Sequence, residues 1–111
     1  MRILVLVSVI VALSLSPAYA HAPGPVSVKV ADGVVEIFAA HSVSDPTTHY
    51  VKLIIVRVNG EEAGKKEFSS QPGTDGQPAK FEIEGLKAGD EVEVYAACSR
   101  FGDTTKKVTV E

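Results

Sequence analysis

Four side chains in this sequence are suited to chemistry: its one cysteine, Cys98, and its three histidines, His21, His41 and His49. Imidazole and thiolate together suit iron, zinc or copper. Cysteine and histidine also serve nucleophilic catalysis, which needs a base oriented by a third group. Asp45 and Asp103 are available as orienters, but no nucleophile elbow or oxyanion-type glycine motif frames Cys98 in "VYAACSRFGD", Val94 to Asp103, and hydrolysis is disfavoured. Phosphate cradles and paired catalytic carboxylates are absent. There is no C-x-x-C or H-x-x-x-H spacing, so any shared site must be assembled by the fold. Taken singly, each residue has an ordinary explanation. A lone cysteine is usually a small buried apolar side chain. His41, in "AHSVSDPTTH", could satisfy a loop, His49 could edge a strand, and His21 could belong to a frayed terminus. Their joint placement at strand ends, in a chain with few other polar specialists, is what raises the case for a metal.

The elements that must position them are short strands. Runs rich in Val, Ile and Phe recur, separated by Gly, Pro, Asp and Ser, with turn signals about every ten residues. The expected strands are Val26 to Val30, Val34 to Ala40, His49 to Val58, "AGKKEF", "AKFEIEGL", "EVEVYAAC" and "TTKKVTV". "ADG" (Ala31 to Gly33), Asn59-Gly60 and "KAGD" (Lys87 to Asp90) are turns, and "QPGTDGQP" (Gln71 to Pro78) is the loosest loop. About seven such strands predict an all-β fold, an immunoglobulin-like antiparallel β-sandwich. Period-two alternation puts Val92, Val94 and Ala96 on one face, and Cys98 continues that face at the strand's end. His21 precedes the first strand, His41 follows the second and His49 opens the third. No internal repeats or low-complexity tracts occur.

The chain opens with Arg2, the apolar run Ile3 to Ser16 and the small-residue stretch "PAYA" ending at Ala20. This is the pattern of a secretory signal peptide over residues 1–20, followed by one domain over 21–111. The alternative, a membrane anchor, is disfavoured because the run is short and no positive cluster follows it. Export to a periplasm or to the outside of the cell is expected, with no stable membrane insertion after cleavage. Losing Arg2 leaves ten basic against fourteen acidic side chains, a net charge of −4 with histidines neutral. That balance disfavours nucleic acid as a partner. A domain this small buries a modest core, and exported ones often add disulfides. One cysteine cannot form one within the chain, so a metal is the expected staple.

The series "HAP…DGVVEIFAAH…HYVKLIIVRVNGEEAGKKEF…VEVYAACSRFG" resembles the iron domain of the superoxide reductases, the neelaredoxin and desulfoferrodoxin group. The resemblance spans nearly all of 21–111. His21 and Pro23 match the first histidine motif, and His41 follows after twenty residues, as in short family members. His49-Tyr50 matches the third histidine and its aromatic neighbour, Asn59-Gly60 the hairpin turn, and Cys98 with Gly102 the last motif. The resemblance implies an immunoglobulin-like sandwich with a non-haem iron, ligated by His21, His41, His49 and Cys98, the cysteine as axial thiolate. It further implies one-electron reduction of superoxide to hydrogen peroxide at an open sixth position, an unidentified electron donor, and a possible homo-oligomer.

The sequence departs from the family pattern at four places. Phe101 stands where the family has its fourth histidine, and Ala20 where a lysine precedes the first. His41 and His49 are eight residues apart, two more than usual, and Ser42 replaces a proline. After cleavage, the α-amine of His21, with an ordinary pKa of about 7.7–8, could replace the missing imidazole, as could a water. Two other readings stay open. Three histidines and one cysteine can close a tetrahedron around zinc, or hold copper, without turnover. A blue-copper carrier is disfavoured because no histidine soon follows Cys98 and the sole methionine is Met1. A metal-free interaction module is the third reading, like related sandwich domains of sulfur-oxidation carriers, although the chain ends "KKVTVE" and lacks their glycine–cysteine tail.

Overall fold

The computed structural model describes residues 22–111; the expected signal segment and His21 lie outside the described residues. Seven strands follow one another: β1 (Val26–Ala31), β2 (Val34–Ala40), β3 (Val51–Val58), β4 (Glu61–Glu67), β5 (Gly76–Glu82), β6 (Glu91–Cys98) and β7 (Asp103–Thr109). They form a three-stranded sheet, β1-β2-β5, and a four-stranded sheet, β4-β3-β6-β7, with antiparallel pairing throughout. This is the expected all-β sandwich. Among the described residues no helix is long and apolar enough to cross a membrane.

Two hairpins are set by local chemistry. Asp32-Gly33 and Asn59-Gly60 each hold two consecutive positive φ angles (+54° and +78°, +51° and +89°). Asn, Asp and Gly tolerate that region, and such turns match the twist of the flanking strands. Alternation then decides what is buried. Val35, Ile37 and Ala39 of β2, Ala79 and Phe81 of β5, Ile54 and Val56 of β3, and Val92, Val94 and Ala96 of β6 point between the sheets and form one cluster. β4, "EEAGKKE", has no buried residue. Its charges suit a sheet edge, where they discourage pairing with another chain.

Register brings four strand ends together. Ala40 at the end of β2 pairs with Gly76 at the start of β5, and Val51 at the start of β3 pairs with Cys98 at the end of β6. His41 and Cys98 therefore share one end of the sandwich. Two expected boundaries shift. β3 begins at Val51, so His49 and Tyr50 precede the strand. β5 begins at Gly76, inside the stretch read as a loose loop.

Candidate metal centre

His41 is the residue after β2. Its N–H donates to Asp75 O at 2.7 Å, which carries the backbone inward beyond the last ladder pair, and its side chain is 2% exposed. Cys98 is the last residue of β6, in phase with inward Val92, Val94 and Ala96, and is buried. His49 arrives through a compact turn. The Asp45 carboxylate accepts the Thr47 hydroxyl at 2.7 Å and the Thr47 N–H at 3.0 Å, while Asp45 O accepts the N–H groups of Thr48 and His49. Side-chain capture of the local backbone is what Asp does in such turns. The Thr47 hydroxyl, then the Thr47 N–H, hold the Asp45 carboxyl below its ordinary range. A reciprocal clasp locks this turn to Cys98: Ser99 N–H donates to Tyr50 O at 2.8 Å, and Tyr50 N–H to Ser99 Oγ at 3.1 Å. The β3–β6 register slips between Val51 and Leu53. Such irregularities re-aim side chains at the ends of sheets.

The result is a cluster of three potential ligands. The ligating atoms of His41, His49 and Cys98 all lie within 4.8 Å of one another. His49 Nε2 is 3.2 Å from Cys98 Sγ. The two imidazoles meet edge to face, with centroids 4.8 Å apart and planes at 88°. Cys98 Sγ accepts the Arg100 N–H at 3.3 Å, and Cys98 N–H donates to Gly102 O at 2.9 Å. Bonds of about 2.0–2.3 Å to nitrogen and sulfur place ligand atoms roughly 3–4.4 Å apart around one ion. The observed spread needs only slight closing, and two imidazoles with a thiol form a donor set for a borderline metal.

The structure thus brings together three of the four expected ligands. The fourth, His21, lies outside the described residues, although its neighbour Ala22 does not. Chain 22–25 is pinned beside the cluster. Gly24 N–H donates to Ala40 O at 2.7 Å, the Thr104 hydroxyl donates to Pro23 O, and the Ala22 backbone lies against Gly102. Phe101 is 69% exposed, so the residue standing at the family's fourth-histidine position points to solvent. A cleft of about 440 Å³ at the other end is lined by Asn59, Lys87 and Asp90 and holds no histidine or cysteine. Its Asp90 carboxylate serves the fold, accepting Lys87 N–H and Asn59 Nδ2.

Sequence reasoning missed Gln71. It stands in "SSQPGT", where composition says only loop. Yet it is 5% exposed and bonded to His41, Gly73, Pro46 and Val51. Nothing in residue type or spacing distinguishes it from an exposed loop glutamine, because its partners come from remote parts of the chain.

No protein-family model and no curated protein matches the sequence. Solved structures do. Reduced superoxide reductase (neelaredoxin) from Archaeoglobus fulgidus aligns with a TM-score of 0.54 at 20% identity, over 82% of this chain and 89% of that one. A point variant of that protein gives 0.54 at 18%, over 82% and 88%. A superoxide reductase in the oxidised state gives 0.54 at 18%, again over 82% and 88%. Identities this low speak to architecture: the chain has the fold of the superoxide reductases, and at one end of it a His/His/Cys cluster that could hold a metal.

Proposed function

We propose that this chain is an exported non-haem iron protein, periplasmic or extracellular, that reduces superoxide to hydrogen peroxide at a site formed by His21, His41, His49 and Cys98. The observation that carries the reading is the convergence of His41, His49 and Cys98 at one end of this particular fold. Iron held by these residues would supply one electron, passing from ferrous to ferric, and would be open to a small anion. With that electron and two protons superoxide would become hydrogen peroxide, and a separate electron donor would be needed for turnover. The chain's own residues provide the frame. His41 and His49 offer neutral imidazole nitrogens. Cys98 offers a thiolate, whose electron donation is tempered by the Arg100 N–H on its sulfur. Burial of Cys98 shields the thiol from the oxidation expected of an exposed one.

Ala22 lies against Gly102, in the loop after Cys98, so the described chain begins at this end of the sandwich, and the family resemblance supports His21 as the further ligand. The His21 α-amine or a water would serve in place of the imidazole that Phe101 does not supply. A second reading is favoured by the exposure of Phe101 and by the three-ligand group among the described residues: a zinc- or copper-holding domain without turnover. Metal analysis and an absorption spectrum of the chain beginning at His21, loaded anaerobically with ferrous iron and then oxidised, separate the two. One iron per chain, a visible thiolate-to-iron band lost in Cys98→Ser, and stoichiometric superoxide consumption are expected. Zinc or copper in place of iron, or a spectrum unchanged by Cys98→Ser, would overturn the reading.

A further inference from the structure

Gln71 is buried, and its side-chain orientation is over-determined. The Val51 N–H, which can only donate, meets Oε1 at 3.0 Å. The carbonyls of His41 and Gly73, which can only accept, meet Nε2 at 3.2 and 3.0 Å. Rotating the amide by half a turn would set oxygen against two carbonyls and the NH₂ group against an N–H. The atom 2.7 Å from His41 Nδ1 is therefore an acceptor, so Nδ1 carries the proton and donates. In a neutral imidazole the lone pair then resides on Nε2.

We propose that Gln71 is the positioning residue of the metal centre: it holds His41 in the Nδ1–H tautomer, so that Nε2 is the atom presented to a metal. The proposal rests on the metal reading above. Metal-ligating histidines commonly hand their second ring N–H to a fixed acceptor, which sets ring orientation and ligand basicity. Here the acceptor does more. Gln71 N–H donates to Pro46 O at 3.0 Å, at the turn that delivers His49, and Oε1 holds the N–H of Val51, the residue paired with Cys98. One amide side chain and its backbone thus tie together the segments bearing all three described ligands.

The test uses protein purified from cells expressing the full chain, stripped of metal. Imidazole ¹⁵N shifts report the His41 tautomer, and competition with a chelator reports Co²⁺ affinity. Wild type should show Nδ1–H with an unprotonated Nε2. Gln71→Met, of similar length but without polar atoms, should mix the tautomers and weaken Co²⁺ by about 10–100-fold in the folded protein. Gln71→Glu keeps an acceptor for Nδ1–H but sets its second oxygen against the His41 and Gly73 carbonyls, so it should restore the tautomer and, in the folded protein, most of the affinity, at a cost in thermal stability. A merely structural role would lower thermal stability in Gln71→Met and leave the tautomer and the affinity of the folded protein unchanged. That result, or an Nε2–H tautomer in wild type, would overturn the proposal; the wild-type spectrum decides even if neither variant folds. Wild type that takes no Co²⁺ at all would overturn the metal reading itself.

Discussion

Gly102 ties the N-terminal segment to the loop after Cys98, and its replacement tests that linkage. It adopts φ +96°, and an added Cβ would fall 2.8 Å from both N and Cα of Ala22 and 3.1 Å from its Cβ. The backbone conformation alone costs a non-glycine residue about 1–2 kcal/mol. Ordinary carbon contacts begin near 3.5 Å, so Ala22 must withdraw by roughly 0.7 Å. It cannot do so freely, because Pro23 is buried and bonded to Thr104 and Gly24 is bonded to Ala40. Adding about 1 kcal/mol for that displacement gives about 2–3 kcal/mol for Gly102→Ala, or roughly 8–24 °C in a domain of this size. Gly60→Ala is the internal control. Gly60 also has positive φ (+89°), but an added Cβ there meets nothing within 4 Å, so it should cost only the conformational part. The assay is thermal unfolding of both variants followed by circular dichroism, with Co²⁺ affinity measured alongside. Gly102→Ala should lose more stability than Gly60→Ala and should alone weaken Co²⁺, since it displaces the residue next to His21. Equal losses with equal affinities would refute the reasoning.

An N-terminal tag or uncleaved leader before His21 should lower metal affinity if the α-amine ligates, and competition titration of tagged and untagged chains checks this; identical affinities would remove the amine from the site. Burial first, then the hydrogen bond to Asp103, push the Tyr95 phenol above its ordinary value of 10.0. The folded state then holds this proton more tightly than the unfolded one, so the contribution is complete below about pH 10 and is lost as pH rises through the folded-state value. Wild type should therefore lose stability more steeply than Tyr95→Phe in urea melts between about pH 9 and 12. Chelation of the metal-loaded protein should leave the far-ultraviolet circular dichroism of the strands unchanged and lower the melting temperature. At metal concentrations 100-fold above Kd the loss is about 2.7 kcal/mol; a coil spectrum after chelation would contradict it.

β2, β5 and the first part of β6 were legible because their burial follows a period of two, and the two short hairpins because Asp32-Gly33 and Asn59-Gly60 supply the positive φ that closes the turn. Cys98 could be placed on the inward face from Val92, Val94 and Ala96, since a strand's faces alternate without exception until a bulge intervenes. His49 was misassigned to a strand. Its neighbours Tyr50 and Val51 favour strands, but the Asp45 turn claims the backbone N–H of His49 before the ladder begins. That competition between the carbonyl of a local turn and a sheet partner is not visible in a local pattern. Gln71 was invisible for a related reason. Its meaning comes from residues 30 and 20 positions earlier, and only the folded register supplies them.

The absence of a disulfide made a metal staple the natural expectation, and the candidate ligands lie apart from the central apolar cluster. Twelve buried residues from both sheets form the central cluster, and none of the candidate ligands belongs to it. The ligands sit at one end of the sandwich, each fixed by bonds the protein makes alone: His41 by Gln71 and Asp75, His49 by the Asp45 turn, Cys98 by Arg100 and Gly102. Side chains fixed by such bonds need little further ordering to bind a metal, and the scaffold then imposes the geometry. A rigid site is also one that need not rearrange when the oxidation state of its metal changes. On the iron reading proposed above, the bonds that fix His41, His49 and Cys98 would therefore suit the centre to a change of oxidation state.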